Sequence, residues 1–108
     1  MTLTEADAIF TLILESKLNS LADKLIHSAI RYARIRVDWY VLDTPGRVAI
    51  DEERTRAHNA FIDACNILSR NMAVEGEDNR WRAKIGSDRK SIGDFACLLH
   101  AVMGIRAR

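Results

Sequence analysis

The chain has 108 residues, 48% of them apolar and 29% charged, with a formal net charge of +1. That length fits one domain able to bury roughly two-thirds of its unfolded surface, and the apolar share excludes a disordered chain. Near-neutrality excludes global steering toward nucleic acid or an acidic membrane, so any such role needs a local patch. One Pro and five Gly leave long stretches without a helix breaker, which predicts a single all-α domain over 1–108.

Met1 to Asp7 is acidic where a secretory leader is basic, and the apolar run from Ala8 to Leu14 is too short to span a bilayer. A cytoplasmic protein with no membrane segment is expected. Thr4, followed by Asp7, predicts an N-cap and a first helix from about Glu5. Leu14, Leu18, Leu21, Leu25, Ser28, Tyr32, Ile35, Trp39 and Leu42 alternate four and three apart, a heptad seam. Ile26, Ala29, Ile30, Ala33 and Val37 widen the seam into a stripe suited to a bundle core. Thr44-Pro45-Gly46 stops this helix near Leu42. Unbroken, it would be a rod of about 55 Å, long for a domain whose radius of gyration should be about 13 Å. Either it breaks, with Asn19-Ser20 the weakest point, or it overhangs and packs on a second copy. The seam stays in phase through Asn19-Ser20, so the expectation is a homodimer through the N-terminal helix.

A second helix is predicted from Asp51, with Glu52 and Glu53 in its first turn. Ala57, Phe61, Ala64, Cys65, Leu68 and Met72 form its apolar face, and Gly76 its C-cap. Residues 77–87 are a polar connection with one short turn around Trp81. A third helix starts at Ser87 or Asp88, buries Ile92, Phe95, Ala96, Leu99, Val102 and Met103, and ends at Gly104. The fold expected is a bundle of three main helices with a long amphipathic N-terminal one. No internal repeat or low-complexity stretch interrupts it.

Two constellations could carry function. Arg80, Arg82, Arg89 and Lys90, with Lys84 and Trp81 among them, could form an anion or nucleic-acid patch, two of them at a helix start. Ile85-Gly86, Ile92 and Phe95 partly fit a helix-turn-helix. Arg82, where a small packed residue belongs, and Asp94, aimed at phosphates, disagree with it. The other reading is a solvated loop whose Trp81 plugs the core edge. Asn59, Asp63, Asn66 and Arg70 share one helix face, with Arg54 and His58 on a neighbouring line. Such a stripe is usually a solvated face. Here it is rich in amides, which suits a hydrogen-bonded contact with another chain.

Chemistry beyond binding finds little support. His27, His58 and His100 fall one on each predicted helix, with no metal-ligand spacing. His58 beside Asp63 or Asp51 could act as a base, yet no nucleophile accompanies it. Cys65 and Cys97 form no C-x-x-C and read as two buried thiols in a reducing compartment. The chain lacks a Gly-rich phosphate loop, a G-x-S-x-G and the paired carboxylates of small all-helical pyrophosphohydrolases. No metal and no cofactor are expected.

The stretch from Arg56 to Arg70, with Trp81-Arg82 and Asp88 to Cys97, resembles a family of short bacterial and prophage-associated proteins of unknown function. The resemblance covers the C-terminal half. It implies a bacterial or phage setting and an autonomous folding unit, and it carries no functional residue across. It directs first tests to His58, Asn59, Asp63, Arg82, Asp88 and Arg89. The leading expectation is a non-enzymatic protein acting through a helical protein–protein surface. Nucleic-acid binding by the 80–90 segment stands second and an enzyme third.

Overall fold

In the computed structural model, which describes Met1–Arg108, helices α1 (Leu3–Glu15), α2 (Asn19–Val41), α3 (Thr44–Val74), α4 (Trp81–Ile85) and α5 (Arg89–Arg106) follow one another. There are no strands, so the chain is all-α, with four substantial helices where three were expected. α2 and α3 fold back on each other as a hairpin. α5 packs across both, and α1 packs chiefly on α5.

The predicted first helix is two helices. Ser16 is extended at φ −62°, ψ 140°, and the chain re-enters helix at Asn19. The cause lies far away in sequence. The Glu77 carboxylate accepts from Ser16 Oγ at 2.6 Å and from the Lys17 backbone N–H at 3.0 Å, while Ser16 Oγ accepts from the Leu18 N–H at 3.1 Å. The Lys17 N–H and the Ser16 hydroxyl are thus satisfied by Glu77, and the Leu18 N–H by Ser16 Oγ, rather than by a continuing helix. The seam is therefore not an overhanging rod. Leu25, Tyr32 and Ile35 are buried in the chain's own core, whereas Leu14 is exposed.

The other boundaries also follow from caps. α1 starts two residues earlier than predicted, at Leu3, because Thr2 rather than Thr4 is the cap and forms a reciprocal capping box with Glu5. Thr44-Pro45-Gly46 does end α2, and it also opens α3 seven residues before the predicted start. Asp43 accepts from the Gly46 N–H at 2.9 Å, and Pro45 sits in the first turn, where its missing N–H goes unused. Gly76, at φ +73°, closes α3 as predicted. Glu77 N donates to Met72 O and Gly76 N to Ala73 O, the pair of bonds that a left-handed residue makes possible. Asp88 caps α5 through the Ser91 N–H. Gly104 does not end α5, which runs to Arg106, where the guanidinium pairs with Asp7 at 2.9 Å and covers the Phe10 ring.

The core is one cluster centred on Phe61, whose ring lies 6.3 Å from Tyr32 and 6.0 Å from Phe95. Trp81 on α4 is 1% exposed and closes one end, as the plug reading held. Each large side chain so buried contributes about 1.5–3 kcal/mol. α3, about 45 Å long at 1.5 Å per residue, spans the molecule's 47 Å longest dimension. Packing does not extend along all of it. From Val37 to Arg56, the far end of the α2–α3 hairpin, no residue is buried. That tip is held by Trp39, with the Arg47 and Arg54 guanidinium carbons 4.1 and 4.5 Å from its ring centroid. Arg47 also donates to the carbonyls of Trp39 and Tyr40, capping the end of α2.

Candidate interaction surface

One side of the α2–α3 hairpin faces α5, and the other is bare. On α2, Leu21, Lys24, Ser28, Arg31, Ile35 and Asp38 recur three and four apart, which sets them along one side. On α3, Ile50, Glu53, Ala60, Ala64 and Ile67 keep the same rhythm in the opposite direction. Between these walls lie two cavities. One of about 390 Å³ is lined by Leu21, Lys24, Ser28, Ala60, Asp63, Ala64 and Ile67. The other, of about 410 Å³, is lined by residues that include His27, Arg31, Arg34, Asp38, Ile50 and Glu53. Both are walled by α2 and α3 alone. The small side chains Ser28, Ala60 and Ala64 leave the trough open, and Ile67 stands 40% exposed at its rim. Charge divides largely by wall: Lys24, His27, Arg31 and Arg34 stand on α2 with Asp38 as its one acid, and Glu53 and Asp63 stand on α3.

The residues singled out from sequence are partly dispersed. Asn66 is not free for a partner, because its Oδ1 accepts from Arg82 Nε at 2.7 Å. Arg82 also donates to the Gly86 carbonyl, so this pair pins α4 to α3. Stripe and basic segment thus meet in one structural bond. His58 meets no carboxylate. Its ring packs edge-on against Tyr32 at 5.4 Å, and its Nδ1 lies 3.2 Å from Asn59 Oδ1. Asp63 lines the smaller cavity, while Asn59 and Arg70 are exposed. Arg54, predicted to share the His58 line, is stacked on Trp39.

The basic segment is likewise taken up internally. Arg80 makes a two-pronged pair with Asp78, whose carboxyl that contact holds down at about 2. Lys90 lies 3.7 Å from Asp94. Arg89 alone of the four is exposed with no acceptor in the chain. As a helix-turn-helix the region is incomplete: Ile92 and Phe95 do dock α5 into the core, but α4, the helix before the turn, has only five residues.

A cluster that the sequence reading missed joins α2 to α5. Arg36 is buried, and its Nη1 donates to Asp94 Oδ1 at 3.2 Å and lies 3.5 Å from Cys97 Sγ. Burial opposes its charge, while Cys97 and Asp94 favour it, and the balance keeps the guanidinium protonated. Gly93 makes the room, since a Cβ there would sit 2.7 Å from Arg36 Cζ. A glycine in mid-helix one position before an acid was the available signal. Cys65 is buried and unpaired, and burial pushes its thiol up to about 12, the opposite of activation. No group of three or more His, Cys, Asp or Glu side chains is placed to hold a metal ion. No helix is long and apolar enough to cross a membrane.

Comparison with protein-family models, with curated proteins and with solved structures finds no match.

Proposed function

We propose that this chain is a helical interaction protein that binds another polypeptide along the bare side of its α2–α3 hairpin. One observation carries the reading: that side holds two cavities between α2 and α3, each lined by apolar and charged residues, and no other helix of the chain lines them. The far face of an amphipathic helix is ordinarily polar and wet, so apolar residues left along it mark a surface for a partner. Helix-in-groove docking is the recognition mode such a trough suits. The two unpaired cysteines support a reducing, cytoplasmic setting.

The test is a photo-crosslinking residue placed at Ile67 on the trough and, as a control, at exposed Ala73 on α3. Covalent adducts to a polypeptide from position 67 and not from 73 are expected. Absence of any adduct from position 67 would overturn the reading. Nucleic-acid binding through the 80–90 segment is favoured by one feature, Arg89 exposed at the positive start of α5. Anisotropy against duplex DNA and single-stranded RNA tests it. Salt-sensitive binding lost in Arg89→Ala would put it first.

A further inference from the structure

We infer that the occupant of the trough is a second copy of this chain, seated so that each α2 lies over the other copy's α3. The inference rests on the interaction reading above and names its partner. Its basis is the division of charge. Lys24 on α2 shares one cavity with Asp63 on α3, and Arg31 shares the other with Glu53. At the heights of these two pairs, then, the α2 wall is basic and the α3 wall acidic.

A self-pairing contact obeys a two-fold axis, and two axes can bring this side of the molecule against itself. An axis across the helices sets α2 on α2 and α3 on α3. Lys24 and Arg31 would then crowd onto a wall rich in cations, and Glu53 and Asp63 onto acids. An axis along the helices sets α2 over the other copy's α3 and preserves height. Lys24 then stands over the other copy's Asp63, and Arg31 over its Glu53, twice each by symmetry. Like-charge opposition disfavours the first arrangement, and complementarity selects the second. Leu21, Ile50 and Ile67 become the apolar centre, and the four helices form a bundle. Asp38, the one acid on the α2 wall, lies at the end next to the tip.

Charge reversal tests this geometry without entering the core, because Lys24, Arg31, Glu53 and Asp63 are all exposed. One variant carries Lys24→Glu with Arg31→Glu, and a second carries Glu53→Lys with Asp63→Lys. Circular dichroism checks that both keep their helicity. Sedimentation velocity should show a wild-type dimer, and each variant alone dissociating at least about tenfold more readily. In the first variant both walls are acidic, and in the second both are basic. An equal mixture should recover dimer, because each α2 then meets an α3 of opposite sign. A monomeric wild type would overturn the proposal. So would variants that dimerise as tightly as the wild type, or a mixture that stays monomeric. The Ile67 crosslink separates this from the broader reading. An adduct of twice the chain mass in purified protein supports a second copy. Adducts only to a different protein overturn the second copy and leave the interaction reading standing. No adduct of either kind ends both.

Discussion

The two ends of the α2–α3 hairpin are built from the same helices and have opposite fates. At one end Tyr32, Phe61, Cys65 and Leu68 are sealed under α5 and α4. At the other, from Val37 to Arg56, nothing is buried, although Val37, Tyr40, Val41, Val48 and Ile50 make the stretch no less apolar in kind. A second layer, not side-chain chemistry, decides which apolar residues become core. Two helices alone leave each other's flanks wet. The tip compensates with Trp39 held between arginines, an arrangement that tolerates water on one side.

The contrast can be broken first at its strongest point. Phe61→Ala should cost about 3–5 kcal/mol in urea unfolding, as for other fully buried aromatics. A loss under about 1 kcal/mol would mean that the base is not the cohesive part. Next come two glycines on α5. Gly93→Ala should destabilise by about 1–3 kcal/mol, because the buried Arg36 guanidinium must move from its place beside Asp94. Gly104→Ala meets nothing within 4 Å and should stabilise by about 0.5–1 kcal/mol. Equal effects at the two sites would remove the close approach of Arg36 from the account. At the tip, Trp39→Ala should cost about 1–2 kcal/mol as two cation–π contacts go. Amide exchange should accelerate over residues 37–56 while the base stays protected. Uniform acceleration would show that tip and base open together. Val48→Ala, at a residue 72% exposed, should change stability by less than about 0.5 kcal/mol.

A last contrast appears only in acid. Glu77 is held below its usual 4.5 by the Ser16 hydroxyl and the Lys17 N–H. A carboxyl so lowered contributes stability that is complete above its ordinary value and is lost as pH falls through the lowered one. Stability should therefore decline below about pH 4.5, and amides at residues 16–18 should lose protection there. Glu77→Gln should start less stable and lose less on acidification. An identical acid limb in both proteins would sever Glu77 from the break.

Much of the fold was legible because its signals are local. Asp88 as a cap, Gly76 as a left-handed stop, Trp81 as a buried plug and the apolar faces of α3 and α5 all declare themselves within a turn of sequence. What escaped was non-local. Asn19-Ser20 marked the weak point beside Ser16 but did not decide for a break, since the Ser16 acceptor is 61 residues away. Asn66 and Arg82 looked like surface groups because each satisfies the other across helices. Arg36 sits one step off the seam and reads as solvent-facing until Gly93 and Asp94 arrive from α5. The basic wall of Lys24, His27, Arg31 and Arg34 was in plain view at three- and four-residue spacing. It flanks the seam, and only the α3 wall across from it gives it meaning.

The Glu77 contact also fixes an order of events. A chain emerging from a ribosome presents residues 1–42 long before Glu77, and their heptad seam runs unbroken through the future bend. Until α3 is complete and Gly76 turns the chain, nothing holds Ser16 extended. The corner between α1 and α2 therefore depends on the turn after α3 being in place, not on the residues beside it.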